Sequence, residues 1–160
     1  SRFAADTGVV IVGGAPKQEW LALAKEVGFE RLRFAEFSSK EDVKEYYRAA
    51  DVFVLATRGD VWGLVVNEAM ANGLPVVTTR HNGVAEHFTH GRDGFVIDHA
   101  DDVAALAQSL EQAITPGTRQ RMGAPARALA IANDAERNAD GVVAAYRDAL
   151  TRRTDPRKPA

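Results

Sequence analysis

The chain has 160 residues, of which 46% are hydrophobic and 26% charged, and its formal net charge at pH 7 is −2. This is the composition of a globular domain that is long enough to bury a core without cross-links. The chain contains no cysteine, which excludes disulfide frameworks, thiolate metal sites and cysteine nucleophiles. Its slightly negative net charge argues against a protein that binds nucleic acid by neutralising many phosphates. Because no apolar run approaches the roughly 20 residues of a spanning helix, and the first residues are unlike a signal peptide, we expect a cytoplasmic protein.

Short apolar runs rich in β-branched residues alternate with helical periodicities along the chain. Strands are predicted at Val9 to Val12, Arg31 to Phe37, Val52 to Leu55, Pro75 to Thr78 and Gly94 to Ile97. The first run is uninterrupted, which predicts a strand that is buried on both faces. Strands of this kind, separated by helices, are typical of a parallel sheet with helices on both sides. The sequence therefore predicts an α/β fold with a doubly wound, Rossmann-like parallel sheet.

Turn and capping residues place the helices between these strands. The first is predicted to end at Gly28 and to bury a stripe of Trp20, Leu23, Ala24 and Val27. Ser39 is a predicted N-cap with Asp42 three residues later, and a further helix is predicted from Gly63 to Asn72, ended by Gly73. A later helix contains Pro125, where we expect a kink or break.

The predicted domain covers residues 1–150, and residues 151–160 form a predicted disordered basic tail. The tail holds four basic residues against one acidic residue. Pro156 and Pro159 are expected to keep it from being helical. Its charge would allow a weak peripheral attraction to anionic lipid at the inner face of a membrane, although a solubilising tail is the more common role.

In a doubly wound sheet the ligand lies beyond the carboxyl ends of the strands, and the most informative segment there follows Leu55. If a helix starts near Gly63, the backbone amides of Gly63, Leu64 and Val65 point towards the ligand crevice. Such an end binds anions, and a diphosphate suits it. Asp60 would lie at the mouth of the same crevice, unless it is an ordinary turn aspartate.

Glu68 lies about a turn and a half inside that predicted helix. Its neighbours on the predicted face are Leu64, Ala71 and Gly73, where an unpaired charge would be costly. The two adjacent hydroxyls of a ribose would suit its carboxylate. In isolation, Glu68 is better explained as a surface residue of an amphipathic helix.

The pattern around these two acids is long and specific. Asp60 is followed by seven other residues and then by Glu68-Ala69-Met70, and soon afterwards by Gly73-Leu74-Pro75-Val76-Val77. This pattern resembles the donor-binding half of family-4-type retaining glycosyltransferases, which have the GT-B fold. The likeness covers Val9 to Leu110 and includes Val12-Gly13-Gly14 and the Gly-x-x-Glu segment that follows Asn82.

The resemblance implies a nucleotide-diphosphate sugar as donor and metal-independent, retaining transfer of a hexosyl group to a glycan, lipid or small-molecule acceptor, as in bacterial polysaccharide or glycolipid biosynthesis. Glu68 would bind the ribose, and Asp60, the candidate catalytic residue, would contact the hydroxyls of the donor sugar. The remaining donor-binding residues that it implies are Trp62, Gly63, Leu64, Val65, Gly13, Gly14, Ala35, Glu36 and Phe37. Arg58 lies in a loop of the predicted crevice and is a further candidate to contact a phosphate, although surface arginines are common. The family usually has glycine in place of Ala35 and glutamate in place of Asp60. No cofactor is implied, since the nucleotide sugar is a substrate.

The family's donor domain opens with another strand, which carries an arginine and a lysine that clamp the diphosphate, and this chain begins after it. The resemblance also implies an N-terminal acceptor-binding domain. We therefore expect this chain to recognise a nucleotide sugar but not to turn it over.

Three other functions compete with this interpretation of the sequence. The spacing of Glu86, His87 and His90 allows a metal site, although surface histidines are more common than ligands. A nucleotide-dependent oxidoreductase is disfavoured because the chain after the first strand, Gly13-Gly14-Ala15-Pro16-Lys17-Gln18, lacks the Gly-x-Gly-x-x-Gly turn. A noncatalytic nucleotide-binding or scaffold domain of the same fold remains open.

Overall fold

A computed structural model describes residues 7–36 and 39–154. Contacts divide the chain into two compact units, Ser1–Ala49 and Ala50–Ala160. The strands correspondingly form two sheets, one in each unit. All strand pairs are parallel. The predicted parallel α/β class is therefore confirmed, with the strands divided between two sheets rather than joined in one.

The first unit contains two strands and two helices in alternation. These are β1 (Val9–Val12), α1 (Gln18–Glu26), β2 (Leu32–Ala35) and α2 (Lys40–Ala49). The two strands pair in register, from Val9 opposite Leu32 to Val12 opposite Ala35. The predicted cap of α2 is confirmed, because Ser39 Oγ accepts from Asp42 N at 3.3 Å while Ser39 N donates to Asp42 Oδ2 at 3.1 Å. This reciprocal pair is a capping box, with aspartate in the usual glutamate position.

Burial in the first unit differs from the sequence prediction. The strand that was expected to be buried on both faces is exposed, with Val10 50% accessible, and α1 has no buried residue, with Leu23 57% accessible. The physical reason is that, among the described residues, β1 pairs with β2 alone. A sheet of only two strands leaves much of the apolar surface of β1 accessible to solvent. Trp20 makes the main aromatic contact of the α1 stripe, stacking on Phe34 with ring centroids 6.1 Å apart.

The second unit is built on a three-stranded sheet of order β3-β4-β5. Its elements are β3 (Phe53–Leu55), α3 (Leu64–Ala71), β4 (Val76–Thr79), a 3₁₀ helix (Gly83–His87), β5 (Phe95–Ile97), α4 (Val103–Ala113), α5 (Thr118–Ala132) and α6 (Ala135–Thr154). All four residues of the central strand β4 are buried. The core joins the sheet to the helices through Val77, Phe95, Ala113 and Met122.

The later helices differ from the sequence predictions at two points. Helix α5 runs through Pro125, so that the predicted alternative of a break is wrong there. Its buried residues include Met122 and Ala126, and tertiary packing of this kind offsets the roughly 3 kcal/mol that an interior proline costs. Helix α6 continues to Thr154, four residues into the tail that was expected to be nonhelical. Pro156 restricts only the residue directly before it, so that the earlier residues can remain helical.

Residues 155–160 of the predicted tail lie outside the described residues. In the part of the chain that is described, no helix is both long enough and apolar enough to span a membrane.

Candidate functional site

The loop between β3 and α3 is tied to the loop that follows β4. Asp60 N donates to His81 O at 3.0 Å, and Gly83 N donates back to Asp60 O at 3.1 Å. Val84 N also donates to Trp62 O at 2.9 Å. These three backbone bonds fix the two loops side by side at the carboxyl edge of the sheet, where parallel α/β folds bind ligands.

Two glycines make this close approach of the loops feasible. A Cβ on Gly63 would lie 2.2 Å from Asn82 Oδ1, and a Cβ on Gly83 would lie 2.1 Å from Val61 O. Gly63 also has φ +82°, a left-handed conformation that side-chain-bearing residues rarely adopt. It is the N-cap of α3, one residue before the helix begins, where the sequence predicted the first residue of the helix.

The Asp60 carboxylate lies at the amino end of α3. Its Oδ1 accepts from Gly63 N at 2.6 Å and from Trp62 N at 3.1 Å. A carboxylate is favourable there because the helix dipole places positive charge at that end. The structure thus brings Asp60, Trp62 and Gly63 together, and it shows that the Gly63 amide, predicted to face a diphosphate, is engaged by Asp60.

The remaining predicted residues of α3 lie on an open surface. Leu64 is 70% accessible, and both Val65 and Glu68 are exposed. Glu68 therefore lies on a face that is open to solvent, and not in a buried setting where an unpaired charge would be costly. An exposed carboxylate does not need a partner in order to be tolerated, so burial gives no support to a ribose contact. That contact stays a prediction based on the resemblance.

Arg58, predicted to approach a phosphate, is hydrogen-bonded to Asp101, with Nε 3.3 Å from Oδ2. This hydrogen bond holds the pKa of the Asp101 carboxyl below its usual range and raises the pKa of Arg58, with charge attraction adding to both shifts. Arg80 forms a similar pair with Asp98, with Nε 2.8 Å from Oδ1. Both arginines of these loops are therefore held by carboxylates in this structure.

The other predicted donor-binding residues belong to the first unit. Gly13 follows β1 with φ +99°, and its N–H donates to Ala35 O at 2.9 Å. Gly14 and Glu36 are exposed next to them in the chain. Phe37 lies outside the described residues. The structure thus brings Gly13 and Ala35 together at the carboxyl ends of β1 and β2, and their contact with a nucleotide stays a prediction.

Asn82 is a site residue that the sequence analysis did not single out. Its side chain is 0% accessible and lies against Gly63. Oδ1 accepts from Val84 N at 3.2 Å, while Nδ2 is buried without a hydrogen-bond partner among the described residues. The available signal was an asparagine directly before a glycine turn, which is typical of an N-cap. The sequence could not show that the same side chain would reach Gly63.

The two histidines that suggested a metal site have separate contacts. The His87 ring packs edge-on against Trp62 with centroids 5.7 Å apart, whereas His90 Nδ1 accepts from Val96 N at 3.1 Å. Within residues 7–36 and 39–154, no group of three or more histidine, aspartate or glutamate side chains is arranged to hold a metal ion. The geometry around His87 and His90 therefore lends no support to the metal alternative.

Comparisons with known proteins agree on one family. Residues 4–129 match the family model described as Glycosyl transferases group 1. The chain is 37% identical, over 150 residues, to D-inositol 3-phosphate glycosyltransferase of Thermobifida fusca, covering 89% of this chain and 34% of that protein. It therefore spans about a third of the length of that relative.

Two solved structures show the same fold. Sucrose-phosphate synthase of Thermosynechococcus elongatus aligns with a TM-score of 0.75 at 25% identity, over 89% of this chain and 38% of its own. The Anabaena protein HepE, solved in complex with UDP and glucose, aligns with a TM-score of 0.66 at 25% identity, over 77% of this chain and 35% of its own. The chain therefore belongs to the group 1 glycosyl transferases and has the Rossmann-like architecture of their GT-B fold, as the resemblance in its sequence predicted.

Proposed function

We propose that this chain binds a nucleotide-diphosphate sugar as the donor for glycosyl transfer. In this proposal the amino end of α3 receives the diphosphate, Asp60 contacts the donor sugar, and Glu68 contacts the ribose. The observation that carries the proposal is the loop of Asp60 and Gly63, which leads into the exposed start of α3 at the carboxyl edge of the sheet.

The start of α3 has the chemistry that an anion needs. No hydrogen bond to Leu64 N is found among the described residues, and the residue is exposed. Amides at a helix start point outwards, and the helix dipole favours negative charge there. During transfer, negative charge grows on the departing diphosphate, so that the same end would stabilise the charge where it develops. Such stabilisation supports the metal-independent part of the proposal, whereas retention of configuration and the hexosyl group rest on the resemblance in the sequence.

The ligand of one structural neighbour suggests the first probe. HepE was solved with UDP and glucose, which makes UDP and UDP-glucose reasonable starting ligands. GDP, ADP and their sugars belong in the same panel, because the contacts proposed at Asp60, Glu68 and the start of α3 involve the sugar, the ribose and the diphosphate but not the base.

The first test is calorimetric titration of the chain with these diphosphates and sugars. We expect one diphosphate and its sugar to bind. Glu68→Ala should weaken the binding of both by about tenfold or more, because hydrogen bonds to a charged carboxylate are lost. Glu111→Ala, an exposed glutamate on α4, is the matched control and should bind like the unsubstituted chain. Equal affinity of the Glu68→Ala and Glu111→Ala variants would contradict the ribose contact. The absence of binding to the whole panel would contradict the proposed function.

Transfer itself is expected to need parts that this chain does not supply. Because the chain corresponds to 34% of the Thermobifida fusca relative, we propose that the acceptor is bound by another part of the longer protein. A sugar-transfer assay on this chain should therefore show donor binding without sustained product. Sustained transfer to a glycan, lipid or small-molecule acceptor would contradict this part of the proposal.

A further inference from the structure

We propose that Asn82 is a positioning residue for the Asp60 carboxylate, and that it thereby determines how strongly the site prefers a nucleotide sugar to the bare nucleoside diphosphate. This inference rests on the proposed function, because it takes Asp60 as the residue that contacts the donor sugar. It goes beyond the resemblance, which assigns no role to Asn82.

The backbone around Asn82 is firmly held. Asn82 N donates to Thr79 O at 3.1 Å, and its carbonyl accepts from Ala85 N at 2.9 Å. Asp60 and Asn82 also lie opposite each other in an isolated parallel β-bridge. Its two hydrogen bonds run from Asp60 N to His81 O and from Gly83 N to Asp60 O. The side chain of Asn82 therefore projects from a fixed position next to the loop that carries Asp60.

That side chain occupies the space beside Gly63. The place where a Gly63 Cβ would stand is 2.2 Å from Asn82 Oδ1 and 2.4 Å from its Nδ2. Asn82 thus limits how closely Gly63 approaches the loop that follows β4. Gly63 N in turn donates to Asp60 Oδ1 at 2.6 Å, so that a displacement of Gly63 moves the donor that orients the carboxylate.

This contact leaves the second carboxylate oxygen of Asp60 available. Among the described residues, the hydrogen bonds to the Asp60 side chain all go to Oδ1. With Oδ1 fixed by the amides of Trp62 and Gly63, the direction of Oδ2 is fixed as well. A sugar hydroxyl would meet an acceptor that is already oriented, and preorganisation of this kind raises affinity.

The Asn82 side chain is suited to a test by substitution. Its Nδ2 is buried without a partner, and an unsatisfied buried donor lowers stability. Asn82→Ala therefore removes one unfavourable group together with the hydrogen bond to Val84 N and the contact with Gly63. Because these effects oppose each other, we expect the variant to remain folded.

Asn67 provides a matched control. It is another asparagine with one buried atom, Oδ1, that has no hydrogen-bond partner, and its Nδ2 donates to Asn133 O at 3.0 Å. Asn67→Ala thus also removes one satisfied and one unsatisfied polar group. It does not touch the contact between Asn82 and Gly63.

The experiment compares affinities within each pair of probes: UDP with UDP-glucose, GDP with GDP-mannose, and ADP with ADP-glucose. For the pair that binds, we expect Asn82→Ala to reduce the preference for the nucleotide sugar over the diphosphate by about fivefold or more, which corresponds to roughly one kcal/mol. The affinity for the diphosphate itself should change by less than about twofold. Asn67→Ala should keep the preference. In an Asp60→Ala background, Asn82→Ala should cause no further loss.

A measurement without ligand accompanies the titrations. The Gly63 amide should exchange its hydrogen faster in Asn82→Ala than in Asn67→Ala, because its bond to Asp60 is loosened. An unchanged sugar preference in Asn82→Ala, equal weakening of both ligands, or unchanged Gly63 exchange would overturn the inference. If the unsubstituted chain binds no probe, the proposed function fails, and the exchange measurement still decides whether Asn82 holds Gly63 in place.

Discussion

Replacement of Gly83 by alanine is expected to lower the free energy of unfolding by about 2 to 4 kcal/mol and to abolish donor binding. The new methyl group would lie 2.1 Å from Val61 O, a backbone atom that cannot rotate away. Relief of this clash requires the two loops to separate. That movement would break the bonds from Gly83 N to Asp60 O and from Val84 N to Trp62 O, each worth about 1 kcal/mol.

Gly59→Ala is the matched control for this prediction. Gly59 lies in the facing loop, between β3 and α3 and directly before Asp60, but a Cβ there would meet nothing within 4 Å. Its unfolding midpoint in urea and its donor affinity should stay close to those of the unsubstituted chain. If Gly83→Ala proved as stable as Gly59→Ala, the close approach of the two loops described above would be incorrect.

Met122→Ala is expected to lower the free energy of unfolding by about 2 to 5 kcal/mol. Met122 is 0% accessible and belongs to the cluster that joins α5 to β4 and β5. Truncation removes buried apolar surface and leaves a cavity that the sheet and helix can only partly close. Urea unfolding, followed by circular dichroism, measures the change.

The control for the core prediction lies on the same helix. Ile131 is 50% accessible, so Ile131→Ala should cost clearly less, about 1 kcal/mol. A smaller loss for Met122→Ala than for Ile131→Ala would show that the core of the second unit does not centre on Met122.

The elements of the fold could be predicted because their signals are local. The run of β-branched residues at Val9–Val12 specified its strand, and Ser39 with Asp42 specified the start of α2 through contacts three residues apart. Gly63 and Gly73 bracketed α3 because both adopt positive φ, which glycine adopts readily. Each of these signals depends on residues that are close in the chain.

Burial could not be predicted in the same way, because it depends on what packs against each element. The strand β1 has the composition of a buried strand, yet Val10 is half exposed in a two-stranded sheet. Glu68 was placed on an apolar face that proved to be open. In both cases the periodicity indicated which side chains share a face but not whether another element covers it.

The candidate site was predicted in its residues but not in its internal contacts. The spacing of Asp60 and Glu68 directed attention to the β3–α3 loop and α3, and the comparisons confirm the family, while the roles of these residues stay predictions. The hydrogen bond from Gly63 N to Asp60 Oδ1 and the contact between Gly63 and Asn82 join residues of two loops. The geometry of these contacts follows from the pairing of β3 with β4, which brings the two loops together. The residues between the two loops do not indicate that pairing.

The central claim, that the start of α3 receives the diphosphate of a nucleotide sugar, is tested most directly by nuclear magnetic resonance. Backbone amide resonances of the ¹⁵N-labelled chain would be followed during titration with UDP, GDP and ADP. We expect saturable shifts that are largest at residues 60–66 and 81–84 for at least one of the three diphosphates. Shifts confined to other parts of the chain, or no saturable shift with any of them, would contradict it.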